Sequence, residues 1–114
     1  MAIRSEEQRR FPRINLRTSI RYQVRGEPEF SNTLTENISA GGVVLTNDEF
    51  IAPSTLLMLE IDILSRILRP MGKVAWTAEV PHSNRKRLGV EFLELNPPEK
   101  NYLADFINMQ LGRL

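Results

Sequence analysis

Three arginines around a Phe-Pro pair, RRFPR at residues 9–13, form the first stretch of this sequence that could bind a charged ligand. Arginine carries a planar fork of hydrogen-bond donors that fits phosphate oxygens and guanine edges, and it stacks on planar rings. Because like charges this close repel one another, the stretch is either a solvated basic leader or a site for an anion. Pro12 disfavours a helix and pushes Phe11 toward extended geometry. Arg9 and Arg13 therefore belong to an extended arm that can lay two guanidinium groups along a surface.

The distribution of charge also indicates a local anion site. The net charge is only +1, from 15 basic and 14 acidic residues. Residues 1–25 nevertheless contain seven arginines against two glutamates, Glu6 and Glu7. The positive charge is thus concentrated in the N-terminal part of the chain, which is not the pattern of a polycation that coats nucleic acid.

The composition excludes several kinds of catalytic site. The chain has no cysteine, so disulfides, thiolate nucleophiles and cysteine-bound zinc are excluded. The single histidine, His82, lies in a polar stretch between two predicted strands, so no nucleophile–base pair of the usual kind is available. Glu60 and Asp62 share one face of a predicted strand, and we interpret them as part of a solvated surface. We therefore expect a protein that is not an enzyme and that holds no metal and no cofactor.

The length and the hydropathy indicate one small domain. A chain of 114 residues falls within the range of about 50 to 250 residues that is typical of single domains. The first ten residues contain no apolar segment of the secretory type, and no apolar run approaches the roughly 18 to 20 residues that a membrane span needs. We expect a cytoplasmic protein without a membrane span.

Most of the chain has the alternating pattern of half-buried β-strands. In the first segment, Leu16, Ile20 and Tyr22 share one parity, and the arginines between them share the other. In the second segment, Phe30 and Ile38 have the parity predicted for the core. The six predicted strands are 16–24, 30–39, 43–45, 56–63, 67–78 with a bulge at Gly72, and 87–95.

The pattern changes to a helical one after Asn96. Asn96 is a favourable N-cap, Pro97 suits the first helical position, and Glu99 follows three residues after the cap. The stripe predicted to face the core consists of Tyr102, Leu103, Phe106, Ile107 and Met109. Six short strands and one terminal helix predict a mainly β fold, a six-stranded antiparallel β-barrel with a C-terminal α-helix over one opening.

A second unusual stretch, NISAGG, occupies residues 37–42. Asn37 and Ser39 are two residues apart on a predicted strand, so their side chains should project from the same face, opposite Ile38. Gly41 and Gly42 follow, where the backbone can turn or approach a ligand closely. We predict an exterior surface with a carboxamide and a hydroxyl side by side. By itself, the stretch is more simply interpreted as a polar strand end that enters a glycine turn.

Together, the two stretches resemble the motifs of the PilZ family of cyclic di-GMP receptors. That family carries an RxxxR motif before the first strand, which corresponds to residues 9–13, and a [D/N]xSxxG motif, which corresponds to residues 37–42. Lesser similarities are GKVAW at 72–76, LGVEFLEL at 88–95 and the closing helix. The resemblance covers residues 8–110, and it is the resemblance that names the nucleotide.

The resemblance implies roles for the arginines. Arg9 and Arg13 would pair with phosphate oxygens and with the guanine acceptors O6 and N7, a bidentate match known from DNA readout. Arg10 would stack on a base or hold a second copy of the ligand. A dianionic ligand would remove the mutual repulsion of these side chains.

The resemblance also implies roles for residues in the barrel. Asn37 and Ser39 would contact the other guanine, and Gly41 and Gly42 would let the backbone come close to the ligand. Asn37 replaces the aspartate of the tightest form of the motif, so it offers one neutral acceptor and should bind guanine more weakly. Trp76 matches a position where the family often has a bulky residue near the ligand. Its parity with Val74 also permits a place in the core.

These expectations define a receptor with two parts. Residues 1–14 would form a flexible N-terminal arm that carries RxxxR, and residues 15–112 would form the PilZ-like barrel with its terminal helix. Binding of cyclic di-GMP would order the arm and pass the signal to an unidentified downstream protein in the control of motility, biofilm or exopolysaccharide.

Two alternatives remain open at this point. A small β-barrel that binds nucleic acid would show steep salt dependence with RNA. The concentration of positive charge in one arm disfavours it. A PilZ interaction module that binds no nucleotide is the other alternative, although such members typically lose the arginine motif that this chain retains.

Overall fold

The protein was analysed as a computed structural model that describes residues 11–113, and these residues form eight β-strands followed by one α-helix. The strands are β1 (Arg13–Asn15), β2 (Ser19–Val24), β3 (Phe30–Ser39), β4 (Gly42–Asn47), β5 (Leu56–Ile63), β6 (Arg66–Leu68), β7 (Met71–Glu79) and β8 (Lys86–Glu94), and the helix is α1 (Pro97–Gln110).

Six of the strands close into an antiparallel barrel in the order β3–β2–β5–β7–β8–β4. The barrel closes because β4 also pairs with β3. The two short strands lie outside this ring: β1 pairs with β3, and β6 pairs with β5. The predicted six-stranded barrel with one C-terminal helix is confirmed.

The first predicted strand is interrupted. The strand expected at 16–24 is ordered as β2 only from Ser19, and β1 lies before it along the same edge of β3. The Thr35 hydroxyl bridges the chain between β1 and β2. Its Oγ1 accepts a hydrogen bond from the Thr18 N–H at 3.0 Å and donates one to the Leu16 carbonyl. As a result, Arg13 lies within a paired strand opposite Ser39.

A bulge in β3 changes which residues face the core. The register with β4 shifts between Thr35 and Asn37, and an inserted residue of this kind moves the following side chains to the other face. Thr35, predicted on the outer face, is therefore buried. Phe30, predicted for the core, is 39% exposed, and the Arg21 guanidinium lies 4.1 Å from the centre of its ring.

The predicted strand 67–78 is divided in two. Pro70 lies between β6 and β7, where its missing N–H prevents one continuous ladder. The bulge predicted at Gly72 is confirmed by a register shift between Met71 and Gly72. A second shift, between Val74 and Trp76, was not predicted.

The barrel and the helix enclose one core of aliphatic side chains. Each fully buried side chain of this kind contributes about 1.5–3 kcal/mol to folding. The buried core residues of the six barrel strands are Ile20, Tyr22, Ile38, Val43, Leu45, Leu57, Leu59, Ile61, Ile63, Val74, Leu88 and Val90, to which β6 adds Leu68.

The helix begins as the sequence predicts. Asn96 Oδ1 accepts a hydrogen bond from the Glu99 N–H at 2.9 Å. Leu103, Phe106 and Ile107 are buried against the barrel, as expected from the stripe. Met109 is 49% exposed, so its assignment to the stripe was wrong. It lies in the last turn of the helix, beyond the residues that pack on the barrel.

Candidate ligand-binding face

The predicted barrel residues of the site lie mainly on the outer face of four neighbouring strands, β3, β4, β8 and β7. One row of Cα partners runs across this face through Asn37, Val44, Gly89 and Trp76. With strands about 4.8 Å apart, this row is roughly 14 Å long. The row is therefore long enough to contact a ligand of nucleotide size. We call this surface the candidate face.

At one end of the candidate face, the structure brings the two motifs into contact. Arg13 on β1 donates a hydrogen bond through Nη1 to Asn37 Oδ1 on β3, at 2.7 Å. The two residues are close because β1 pairs with the end of β3 in antiparallel register. The last arginine of RxxxR and the first residue of NxSxxG thus form one polar unit.

Ser39 is completely buried, so the prediction that it lies on an exterior surface was wrong. Its Oγ accepts a hydrogen bond from the Gly41 N–H at 3.1 Å, and the Gly41 carbonyl accepts one from the Phe92 N–H at 2.9 Å. Ser39 therefore holds the turn between β3 and β4 against β8. This role agrees with the simpler interpretation of the motif, in which a polar strand end enters a glycine turn.

An aromatic ring packs directly against Gly41. A Cβ atom on Gly41 would lie 2.7 Å from Cδ2 of Phe11, a residue of the arginine motif. Gly42 is buried in β4 between Ser39 and Glu91, its Cα partners on either side. We call Phe11, Arg13, Asn37, Ser39 and Gly41 the motif cluster. The sequence analysis did not predict that Phe11 would pack on Gly41. Its place between the arginines was the available signal.

The remaining arginines of the motif, Arg9 and Arg10, lie outside the described residues, as does most of the predicted arm. Residues 11–14 of that predicted arm are described, and Arg13 and Ile14 belong to β1.

At the other end of the candidate face, Trp76 lies over Gly89. A Cβ on Gly89 would be 2.1 Å from Trp76 Nε1. Gly89 lies between two core residues, Leu88 and Val90, so the indole is on the outside of the barrel. The parity shared with Val74 had permitted a core position, but the second bulge of β7 places Trp76 on the opposite face.

A charged pair borders the indole. The Arg87 side chain bonds the Glu36 carboxylate, with Nε at 3.1 and 3.0 Å from the two oxygens and Nη2 at 2.9 Å from Oε1. The Arg87 Cζ atom lies 5.8 Å from the centre of the Trp76 ring. We call Glu36, Trp76, Arg87 and Gly89 the tryptophan cluster. Of these, sequence reasoning selected only Trp76; a glycine inside a strand pattern was the available signal for Gly89.

A groove of about 950 Å³ adjoins the motif cluster. Phe11 and Gly41 line one end of it, and Met58, Pro70 and Met71 line the other. Its lining mixes apolar residues with charged ones such as Arg69 and Lys100, and it does not include Arg13, Asn37 or Trp76. Arg13 and Asn37 therefore lie on the candidate face and outside the groove.

The two acidic residues considered in the sequence analysis lie in ion pairs or in solvent. Glu60 forms ion pairs with Arg21 at 2.7 Å and Arg69 at 3.6 Å, and Asp62 is exposed. Burial raises the pKa of the Tyr22 phenol, which lies in the core and away from the candidate face. Within residues 11–113, no group of three or more histidine, cysteine or acidic side chains is arranged to hold a metal ion.

Comparison with known families identifies the fold. A profile of the PilZ domain family matches residues 7–109 of the 114. The chain belongs to the PilZ domain family. No curated protein matches the sequence. Over the part of the chain that the structure describes, no helix is long and apolar enough to cross a membrane.

Solved PilZ structures share this architecture. The Bacillus subtilis inhibitor of motility, MotI/DgrA, matches with a TM-score of 0.78 and 22% identity, over 90% of this chain and 51% of its own. The PilZ domain of Escherichia coli YcgR, solved with c-di-GMP, matches with a TM-score of 0.71 and 15% identity, over 93% of this chain and 92% of its own.

A third structure is the K. pneumonia MrkH–c-di-GMP complex, which matches with a TM-score of 0.67 and 16% identity, over 90% of this chain and 50% of its own. This PilZ domain thus spans about half the length of the MotI/DgrA and MrkH chains. At these identities, the likeness concerns the fold.

Proposed function

We propose that this PilZ domain is a receptor for cyclic di-GMP and not an enzyme. The observation that carries the proposal is the hydrogen bond from Arg13 to Asn37, which joins the two motifs at one end of the candidate face. Two of the similar structures, those of YcgR and MrkH, contain c-di-GMP according to their names.

The chemistry of the face suits the ligand. Arg13 lies where it can pair with a phosphate or with guanine O6 and N7, and Arg9 and Arg10 add guanidinium groups from the same motif. Asn37 supplies a neutral acceptor for a guanine N–H. Gly41 lets the chain turn beneath Phe11, Gly42 is buried beside it in β4, and Ser39 holds that turn in shape.

The signal passes from the motif cluster to a separate protein. The ligand draws the arginines of the RxxxR motif to the candidate face, and this changes the surface that a cytoplasmic partner meets. The name of MotI/DgrA, an inhibitor of motility, supports a role in motility or the related control of biofilm and exopolysaccharide.

Isothermal titration calorimetry tests the receptor proposal directly. Cyclic di-GMP should bind with measurable heat, whereas GMP should bind at least tenfold more weakly, because one phosphate and one base cannot fill both motifs. A single-stranded RNA serves as the third titrant. Equal affinity for GMP, or tighter and steeply salt-dependent binding of RNA, would show that the proposal is wrong.

A further inference from the structure

The groove beside the motif cluster has an exposed apolar floor. Met58 on β5 and Leu93 on β8 are 49% and 45% exposed, and Phe30 at the start of β3 is 39% exposed. Met71 on β7, the Cα partner of Met58, lies between β5 and β8. A gathering of large apolar side chains on a surface marks an interaction site, and methionine adapts its shape to an apolar partner. The floor is therefore suited to contact another apolar surface.

The barrel topology indicates how such a partner binds. The strands beneath the groove, β5, β7 and β8, each pair on both sides there, so none has a free backbone edge to which a partner strand could add. A partner must therefore bind through side chains, which an amphipathic helix presents while its own backbone is hydrogen-bonded internally. From Gly41 to Met58 the groove crosses three strand spacings, roughly 14 Å, which is close to three turns of a helix.

The charges of the lining indicate the sign of the partner. Glu60 is already engaged by two arginines. Over residues 11–113, neither Glu91 nor Glu94 forms an ion pair, and Lys73, the Cα partner of Glu91, lies outside the lining. These two carboxylates make an acidic border along β8, and Lys100 of the helix α1 is the one lining cation in the described residues without an ion pair. A helix with basic residues beside its apolar stripe matches this border.

We propose that the groove is the docking site for an amphipathic helix of a partner protein, with an aliphatic stripe on the floor and basic residues along β8. The site adjoins the motif cluster, because Phe11 and Gly41 belong to both. It serves the separate protein to which the proposed receptor passes its signal. The docking itself requires no nucleotide, so its test is independent of cyclic di-GMP binding.

Two model peptides of about 14 residues serve as probes, and each places leucines at positions i, i+3, i+4 and i+7 of a helix. One carries lysine at the remaining positions, and the other carries glutamate. Fluorescence anisotropy of the labelled peptides, without nucleotide, measures binding to the domain. The variant is Met58→Gln, and the matched control is Met109→Gln, because Met109 is also 49% exposed but lies outside the groove. Glu94→Gln, compared with Glu79→Gln at an exposed position outside the groove, tests the charge.

We expect the lysine peptide to bind the wild type at least tenfold more tightly than the glutamate peptide. Met58→Gln should bind the lysine peptide about tenfold more weakly than Met109→Gln, because an amide replaces an apolar contact with the leucines. Glu94→Gln should bind it about threefold more weakly than Glu79→Gln. Leu93→Gln repeats the test of the floor from β8, and circular dichroism verifies that each variant is folded.

Four results would overturn the inference. If the wild type binds neither peptide, the groove does not accept a helix. If Met58→Gln and Leu93→Gln bind the lysine peptide as tightly as Met109→Gln, the peptide lies elsewhere. If the glutamate peptide binds as tightly as the lysine peptide, the β8 carboxylates do not select the partner. If sedimentation velocity shows a wild-type dimer that Met58→Gln converts to a monomer, a second copy of this chain covers the floor.

These results are distinct from a failure of the receptor function. Absence of cyclic di-GMP binding in calorimetry would overturn the receptor proposal, while binding of the lysine peptide to the groove would still support the docking site.

Discussion

Two aromatic rings rest on glycines at opposite ends of the candidate face, and only one of the glycines belongs to a sequence motif. In the motif cluster, Phe11 covers Gly41, and in the tryptophan cluster, Trp76 covers Gly89. Phe11 precedes the short strand β1, whereas Trp76 lies inside β7 with β8 beside it. The first contact is made by a residue outside the six barrel strands, and the second is part of the barrel wall.

The comparison extends to the polar residues. Ser39 belongs to a motif but is buried and holds a turn, while Arg87 belongs to no motif but presents an accessible guanidinium beside an indole. Membership of a motif therefore does not distinguish an accessible polar side chain from one that is buried and shapes a turn. Four measurements follow, in decreasing order of the expected effect.

The largest effect is expected for Arg13→Ala. The variant loses a charge-assisted contact with the ligand and the hydrogen bond that organises Asn37, so binding of cyclic di-GMP should weaken roughly 100-fold, about 2.7 kcal/mol. Calorimetry measures this loss. The free energy of unfolding should fall by only about 1 kcal/mol, because a single hydrogen bond is removed.

The control for Arg13→Ala is Arg17→Ala, which removes the same charge from an exposed position between β1 and β2. If the two variants lose affinity equally, general electrostatics explains the effect and the motif cluster has no special role.

The next effect concerns Gly89→Ala. The added methyl group would collide with Trp76, so we expect the free energy of unfolding to fall by about 1–3 kcal/mol, measured by urea denaturation. Gly41→Ala should cost less, because the added Cβ would lie 2.7 Å from the Phe11 ring, against 2.1 Å from the indole at Gly89.

A Trp76→Ala background provides the control for Gly89→Ala. Without the indole, the same methyl group should cost nothing measurable. A cost that persists in this background would place the strain in the strand backbone and not in the contact between ring and glycine.

A somewhat smaller effect is expected for Ser39→Ala. The part-buried N–H of Gly41 would lose its acceptor, which costs about 1–2 kcal/mol of stability. Thermal unfolding should therefore shift to lower temperature, and ligand binding should weaken only in proportion to the disturbed turn. Complete loss of binding with unchanged stability would instead show that Ser39 contacts the ligand directly.

The smallest effect concerns the exchange of backbone amides. Cyclic di-GMP should slow hydrogen exchange at Phe11 and Arg13 about tenfold, because the ligand ties this segment to the face, while amides of Trp76 and Gly89 in the barrel wall should change little. Exchange measured with and without ligand tests the difference. Equal slowing at both ends would mean that the ligand stabilises the whole domain and that the arm is not the moving part.

Much of the fold could be predicted because strand periodicity, the cap at Asn96 and the break after it are local signals. The strand at 56–63 and the start of the helix agree with the structure for this reason. The sequence by itself also determined which chemistry is available: an arginine-rich arm, an NxSxxG turn, and a single tryptophan without cysteine.

Only the tertiary structure decided which side chains lie on the candidate face. The bulges near Glu36 and before Trp76 shift the alternation by one residue, so Thr35 is buried and Trp76 faces outward. A parity count along the sequence cannot detect such an insertion, because a bulge depends on the register with the neighbouring strand. The pairing of Glu36 with Arg87, 51 residues apart, likewise exists only because closure of the barrel brings β3, β4 and β8 side by side.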